Sequence, residues 1–230
     1  MRDISIVHSS DLHIDATRAT DEFHPLCRVL ATATDAAADL LVLAGDIFDH
    51  NRLPLSVLDS VSRRLGDSNL HVVILPGNHD CLAVDSVYRR GGISEVPNVH
   101  VIGVESEKFT FPELDLEIWG RAHYDYKNLS PLGEPEPCTS ARQIAVAHGH
   151  WLQDDNDRHR GWLITSEQIE ATGADYVALG HWPRATPAGD GSVPAFYSGS
   201  PDLAATVNLV RFVDGGKPIV SRMPLLSTYH

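Results

Sequence analysis

The chain carries five short apolar runs, at residues 4–7, 40–44, 72–75, 144–147 and 176–179, each followed at once by polar side chains able to bind metals. Runs of four or five apolar residues suit strands buried on both faces. Between the early runs, residues 25–38 place Leu26, Val29, Leu30, Ala33 and Ala37 on one face at 3-4 spacing, and residues 55–65 do the same with Val57, Leu58, Val61 and Leu65. Alternation of such strands and helices predicts an α/β core.

The later sequence reads differently. Lys108–Phe111 and residues 116–119 flank an acidic turn and predict a hairpin. Residues 130–138 hold three prolines and read as an irregular loop, and residues 154–160 as a highly charged one. Residues 205–213 and 218–223 flank Asp214-Gly215-Gly216-Lys217, a hairpin signal. With no internal repeat and no long linker, one domain is expected over residues 1–230, its core about 1–201 and its terminal hairpin about 202–225.

Composition excludes some classes. The 230 residues carry 18 basic and 31 acidic side chains, a formal net charge of −13, and no basic run longer than two. Tight sequence-independent binding to nucleic acid, which needs Lys and Arg against phosphates, is disfavoured. Cys27, Cys81 and Cys138 form neither a disulfide framework nor a zinc-type pair, so free thiols are expected. Neither a signal peptide nor a membrane span is expected, and the cytoplasm is the simplest placement.

The chemistry lies after the runs. They lead into Ser10-Asp11-Leu12-His13, Gly45-Asp46-Ile47-Phe48-Asp49, Pro76-Gly77-Asn78-His79-Asp80, His148-Gly149-His150 and Gly180-His181. Ligand sites in open α/β sheets lie at the carboxyl ends of strands, so five such ends side by side would form one site. Carboxylate, amide oxygen and imidazole without thiolate suit Mn²⁺, Fe²⁺, Zn²⁺ or Co²⁺. Asp11 and His13 would point the same way if strand geometry continues there. Glycines before Asp46, Asn78 and His181 would allow sharp turns and close approach. Six ligands exceed the need of one tetrahedral ion and match two ions sharing a carboxylate, the clamp for a phosphoryl group.

Each motif alone occurs by chance; the ordered series is specific. It resembles the calcineurin-like metallophosphoesterases, whose pattern is DxH, GDxxD, GNH(D/E), an isolated His and GHxH. The text around Asp11, Asp46 and His181 is similar to the nuclease-subunit branch of the bacterial SbcCD type, over residues 4–201. The resemblance implies a four-layer α/β/β/α sandwich of two mixed sheets. It implies that Asp11 and His13 bind a first metal, that Asp46 bridges, and that Asn78, His148 and His181 complete a second. It implies catalysis by His79 beside the scissile phosphate, oriented by Asp49, with water acidified by two divalent ions, Mn²⁺ first and Fe, Zn, Co or Ni as alternatives.

The chain departs from the pattern at Gly180-His181-Trp182-Pro183, where proline replaces the last histidine. That leaves the first site weak or completed by another group. His150 is the candidate substitute, with a plain loop role as its alternative, and Arg121, His123 and Trp182 are candidate pocket residues. The expected activity is a phosphodiesterase for small or nucleotide-like diesters, with monoesters or triesters as side substrates. The alternatives are a DNA nuclease subunit working with an ATPase partner, and a weakly active binding or scaffold protein. The 29 residues after Pro201 leave room for one hairpin and not for that branch's DNA-contacting cap and partner-binding tail.

Overall fold

The computed structural model describes residues 2–17, 24–135, 137–213 and 215–226. The apolar runs become the central strands. In chain order the elements are β1 (Ile4–Ser9), α1 (Pro25–Asp35), β2 (Leu40–Ala44), α2 (Leu55–Asp67), β3 (His71–Leu75), α3 (Val87–Arg90), β4 (Val99–Val101), β5 (Lys108–Phe111), β6 (Leu116–Gly120), β7 (Arg142–His148), β8 (His150–Trp151), β9 (Leu163–Ile164), α4 (Ser166–Ala171), β10 (Tyr176–Gly180), β11 (Thr186–Ala188), β12 (Ala195–Tyr197), α5 (Pro201–Ala204), β13 (Thr206–Phe212) and β14 (Ile219–Pro224).

Two six-stranded mixed sheets result, in the orders β14-β13-β1-β2-β3-β4 and β11-β12-β10-β7-β6-β5. In the first, β1 to β4 are parallel and β13 and β14 join antiparallel. In the second, β12, β10, β7 and β6 are parallel, edged by antiparallel β11 and β5. The five runs therefore divide, three to one sheet and two to the other, and β2 and β3 pack against β7 while β2 also meets β10.

Strand alternation builds the layers. Ile144, Val146, Tyr176 and Ala178 join the main core with the first sheet, α1 and α2. Their neighbours Ala145, Ala147, Val177 and Leu179 face the other way, into a smaller core closed by Ile169 of α4. The fold is thus α/β with two mixed sheets and helices flanking them. Helix α4 starts from a capping box in which the Thr165 hydroxyl accepts from the Gln168 N–H and the Gln168 side chain accepts from the Thr165 N–H.

Both expected hairpins form, β5–β6 and β13–β14. Asp214 of the second turn lies outside the described residues, as does Glu136 of the proline-rich loop. The charged segment at 154–160 contains a short 3₁₀ turn, Asp155–His159, because the Asp154 carboxylate caps it by accepting from the Asn156 N–H at 2.7 Å. Cys81 and Cys138 are free thiols; Cys27 and Cys81 are buried and Cys138 is exposed. Among the described residues no helix is long and apolar enough to cross a membrane.

Candidate metal centre

The loops after β1, β2, β3, β7 and β10 meet at one place. Among the described residues, Asp46, His148 and His181 bring ligand atoms within 4.8 Å of one another, and so do Asp11, His13 and Asp46. Asp46 belongs to both groups. Asn78 joins the first, its Oδ1 standing 3.2 Å from His148 Nε2 and 3.1 Å from His181 Nδ1. The structure therefore gathers all six residues expected as ligands.

Their backbones differ from the expectation for Asp11 and His13. Strand β1 ends at Ser9, and Asp11 (φ 56°) and His13 (φ 46°) adopt left-handed conformations, as do Asp46 (φ 52°) and His181 (φ 95°). Such conformations cost a non-glycine residue about 1–3 kcal/mol and collect at functional sites. Here they let the β1 loop zip onto the β2 loop: Asp11 N–H donates to Gly45 O at 2.9 Å and His13 N–H to Asp46 O at 3.1 Å. Glycine is required by close approach at two places. A Cβ on Gly77 would collide with Asp46 Oδ1, and one on Gly180 with Ala44 O.

Two further interactions hold the ligands. His148 Nδ1–H donates to Ala44 O at 2.9 Å, which leaves Nε2 facing Asp46 Oδ2 at 3.1 Å. A histidine ligand held through its other nitrogen is the arrangement metal sites use. Asp80, missed as a site residue in sequence, clamps two loops: its buried carboxylate accepts from the N–H groups of Ile47, Phe48 and Gly77 and from the Tyr88 hydroxyl. Burial and the nearby Asp46 charge push the Asp80 pKa up, while these donors pull it down, and the net direction is up.

The charges suit a cation. Burial lowers the pKa of His148, but Asp46, by charge and hydrogen bond, together with Asp11 outweighs it and raises the value to about 9. Burial would raise Asp46, yet His148 and His79 bring it down. Asp11 is raised by burial and by Asp46, against the pull of His148. His181 falls to about 3 through burial and the neighbouring His148. A proton on His148 thus does part of what a divalent ion would do, and the carboxylates, amide oxygen and imidazoles form a donor set that fits such ions.

The two residues expected as a catalytic pair are arranged differently from the expectation. His79 is exposed, and its Nδ1–H donates to the backbone O of Asp49 at 2.9 Å. The Asp49 carboxylate is 3.8 Å from His79 Nδ1 but 3.2 Å from His13 Nδ1. Asp49 therefore holds His79 by its main chain and His13 by its side chain. His79 lines an open cleft of about 540 Å³ with Asn78, Asp49, Arg52, Tyr126 and Trp162.

The expected pocket residues lie elsewhere. Arg121 lines a separate cleft with Glu107 and Glu134. His123 is fully buried behind His148, where its Nε2–H donates to His148 O at 2.8 Å, and its pKa falls to about 4, first through burial and then through His148. Trp182 packs edge-on to His150 outside the His79 cleft. Trp162 takes the place expected for Trp182, its ring 5.8 Å from that of His181. His150 joins no ligand group among the described residues; its Nε2 faces Asp157 Oδ2 at 3.4 Å, because strand β8 pairs it with Leu163 and turns it from the centre.

The chain belongs to the calcineurin-like phosphoesterase family, whose sequence model matches residues 4–185. Members are metal-dependent phosphoester hydrolases, and the matched span contains all six gathered residues. No curated protein matches the chain by sequence. Among solved structures, TT1561 of Thermus thermophilus aligns with a TM-score of 0.65 at 13% identity, over 97% of this chain and 99% of that one, and shares the fold. A conserved uncharacterized protein of Streptococcus pneumoniae TIGR4, named a predicted phosphoesterase, aligns at 0.44 and 14% identity over 97% and 91%.

Proposed function

We propose that the protein is a metal-dependent phosphodiesterase for small or nucleotide-like diesters. One observation carries this reading: two ligand groups share Asp46 beside an open cleft whose described lining residues include one permanent cation, Arg52, against Asp49 and Asp85. A phosphomonoester carries close to two charges at neutral pH, whereas a diester carries one. A cleft so poor in cations favours the diester, and its openness leaves room for a second ester arm.

Asp46, Asn78, His148 and His181 would hold one divalent ion, and Asp11, His13 and Asp46 the other. Mn²⁺ is the ion we favour, with Fe, Zn, Co and Ni as alternatives. When bound, such ions supply Lewis acidity toward phosphoryl oxygens and lower the pKa of water. His79, held through Nδ1, keeps Nε2 for the proton needed by the leaving oxygen. Pro183 offers no ring donor, and its carbonyl already accepts from the Ser200 N–H at 3.1 Å. The group of Asp11, His13 and Asp46 is one protein ligand short and is therefore the weaker site.

The test compares bis(p-nitrophenyl) phosphate, p-nitrophenyl phosphate and linear DNA as substrates in Mn²⁺. A higher kcat/KM for the diester and intact DNA are expected. Preference for the monoester would refute the diester reading. DNA cleavage with steep salt dependence would favour the nuclease branch and an ATPase partner, a reading the net charge of −13 speaks against.

A further inference from the structure

A second cavity adjoins the ligand loops and takes no part in the site described above. It measures about 200 Å³ and is walled by Trp151, Trp182 and Tyr197, with His150, Asp157 and Arg160 among its polar groups. Two of these residues continue the ligand loops directly: His150 stands two positions after His148, and Trp182 follows His181.

The walls are fixed. The Tyr197 hydroxyl donates to Gly149 O at 2.7 Å and accepts from the Trp151 N–H at 2.7 Å. Trp151 Nε1–H donates to the Ser166 hydroxyl at 3.2 Å. Asp157 accepts from Arg160 Nε–H at 2.7 Å. His150 is 6% exposed, and its Nε2 faces Asp157 Oδ2 at 3.4 Å across the polar edge of the cavity.

We propose that this cavity is a subsite for the nucleobase of a nucleotide-like ester. Aromatic walls accept a planar ring of any base by stacking. The Arg160 guanidinium and the Asp157 carboxylate at the polar edge of the cavity offer donors and an acceptor to the mixed edge of a heteroaromatic ring. The volume lies below the roughly 300–1,000 Å³ of pockets that take whole small molecules, so it admits one ring system and not a complete nucleotide. The inference builds on the diesterase reading for the rest of the substrate, but the subsite itself requires neither metal nor phosphate.

The experiment titrates metal-free protein with adenosine, guanosine and cytidine, with ribose as control, and follows tryptophan fluorescence and calorimetric heat. Saturable binding of at least one nucleoside, and none of ribose, is expected. Trp182→Ala should weaken it about tenfold, the effect of losing one stacked ring, and Trp182→Phe should restore it. Gln153→Trp, which fills the cavity from its exposed rim, should block binding without removing a core side chain, and circular dichroism confirms folding of each variant. No saturable binding, or binding lost in Trp162→Phe and kept in Trp182→Ala and Gln153→Trp, would overturn the proposal. Wild-type hydrolysis of bis(p-nitrophenyl) phosphate separates the two readings. Hydrolysis without nucleoside binding sinks the subsite alone; nucleoside binding without hydrolysis supports the subsite and sinks the diesterase.

Discussion

Replacing Asp80 with asparagine should loosen two ligand loops at once. The carboxylate accepts from Ile47 N–H at 2.8 Å, Phe48 N–H at 3.1 Å and the Tyr88 hydroxyl at 2.6 Å on Oδ2, and from Gly77 N–H at 2.7 Å on Oδ1. Asparagine keeps the size. With its amide oxygen in the place of Oδ2, three donors remain served, and the new NH₂ group faces the Gly77 N–H. One buried donor is then unmet, at about 1–3 kcal/mol. The opposite flip strands three donors and is worse. For a chain of this length, about 2 kcal/mol lowers Tm by roughly 4–8 °C. Ile47 follows Asp46 and Gly77 precedes Asn78, so metal affinity should fall too, by about 10–100-fold, as when an outer partner of a ligand is removed. Thermal unfolding of the metal-free variant and calorimetric metal titration are the assays. A Tm within about 1 °C of wild type with unchanged metal affinity would refute the clamp.

Four more predictions follow from the same geometry. Asp46→Asn removes the carboxylate common to both groups and should lower bis(p-nitrophenyl) phosphate turnover by more than about 100-fold with loss of bound metal, measured by elemental analysis. His79→Ala should keep its metal and lose about 10²–10⁴ in turnover; metal loss would make His79 a ligand. Pro183→His should tighten the weaker site, seen as a leftward shift of the second step in an Mn²⁺ titration. Glu117 is held at a pKa of about 2, chiefly by the Thr139 hydroxyl working against burial, with the Thr139 N–H and Lys108 adding to it. Its folded value lies below the unfolded one near 4.5, so its contribution to stability is complete above that pH and lost as pH falls toward 2. Acid unfolding of Glu117→Gln should show a shallower dependence across that window than wild type.

How much of this was legible in the sequence varied with the range of the interaction. Strands β1, β2, β3, β7 and β10 were legible because burial on both faces leaves a continuous apolar run. Strands β4, β8, β9, β11 and β12 have only two or three residues each, too few for a period. The six gathered residues were legible because each directly follows a buried strand. The left-handed turns at Asp11 and His13 were not, since they depend on pairing with the β2 loop. The exchange of Trp162 for Trp182 had no local signal either: Trp162 is held by Asn128 and Lys127 and reaches His181 only through the folding of the β8–β9 segment. Asp80 stands within the Gly77-Asn78-His79-Asp80 motif, but its acceptor role appears only once Ile47, Phe48, Gly77 and Tyr88 surround it.

That two unequal metal sites share Asp46 is tested by counting metal and turnover together. Metal-stripped protein is titrated with Mn²⁺, and bound ions and bis(p-nitrophenyl) phosphate hydrolysis are measured in the same samples. Unequal sites predict tight uptake of one ion per chain with little turnover, then turnover rising with a weaker second ion. Full turnover at one ion per chain, or two ions bound with equal affinity, would contradict the claim.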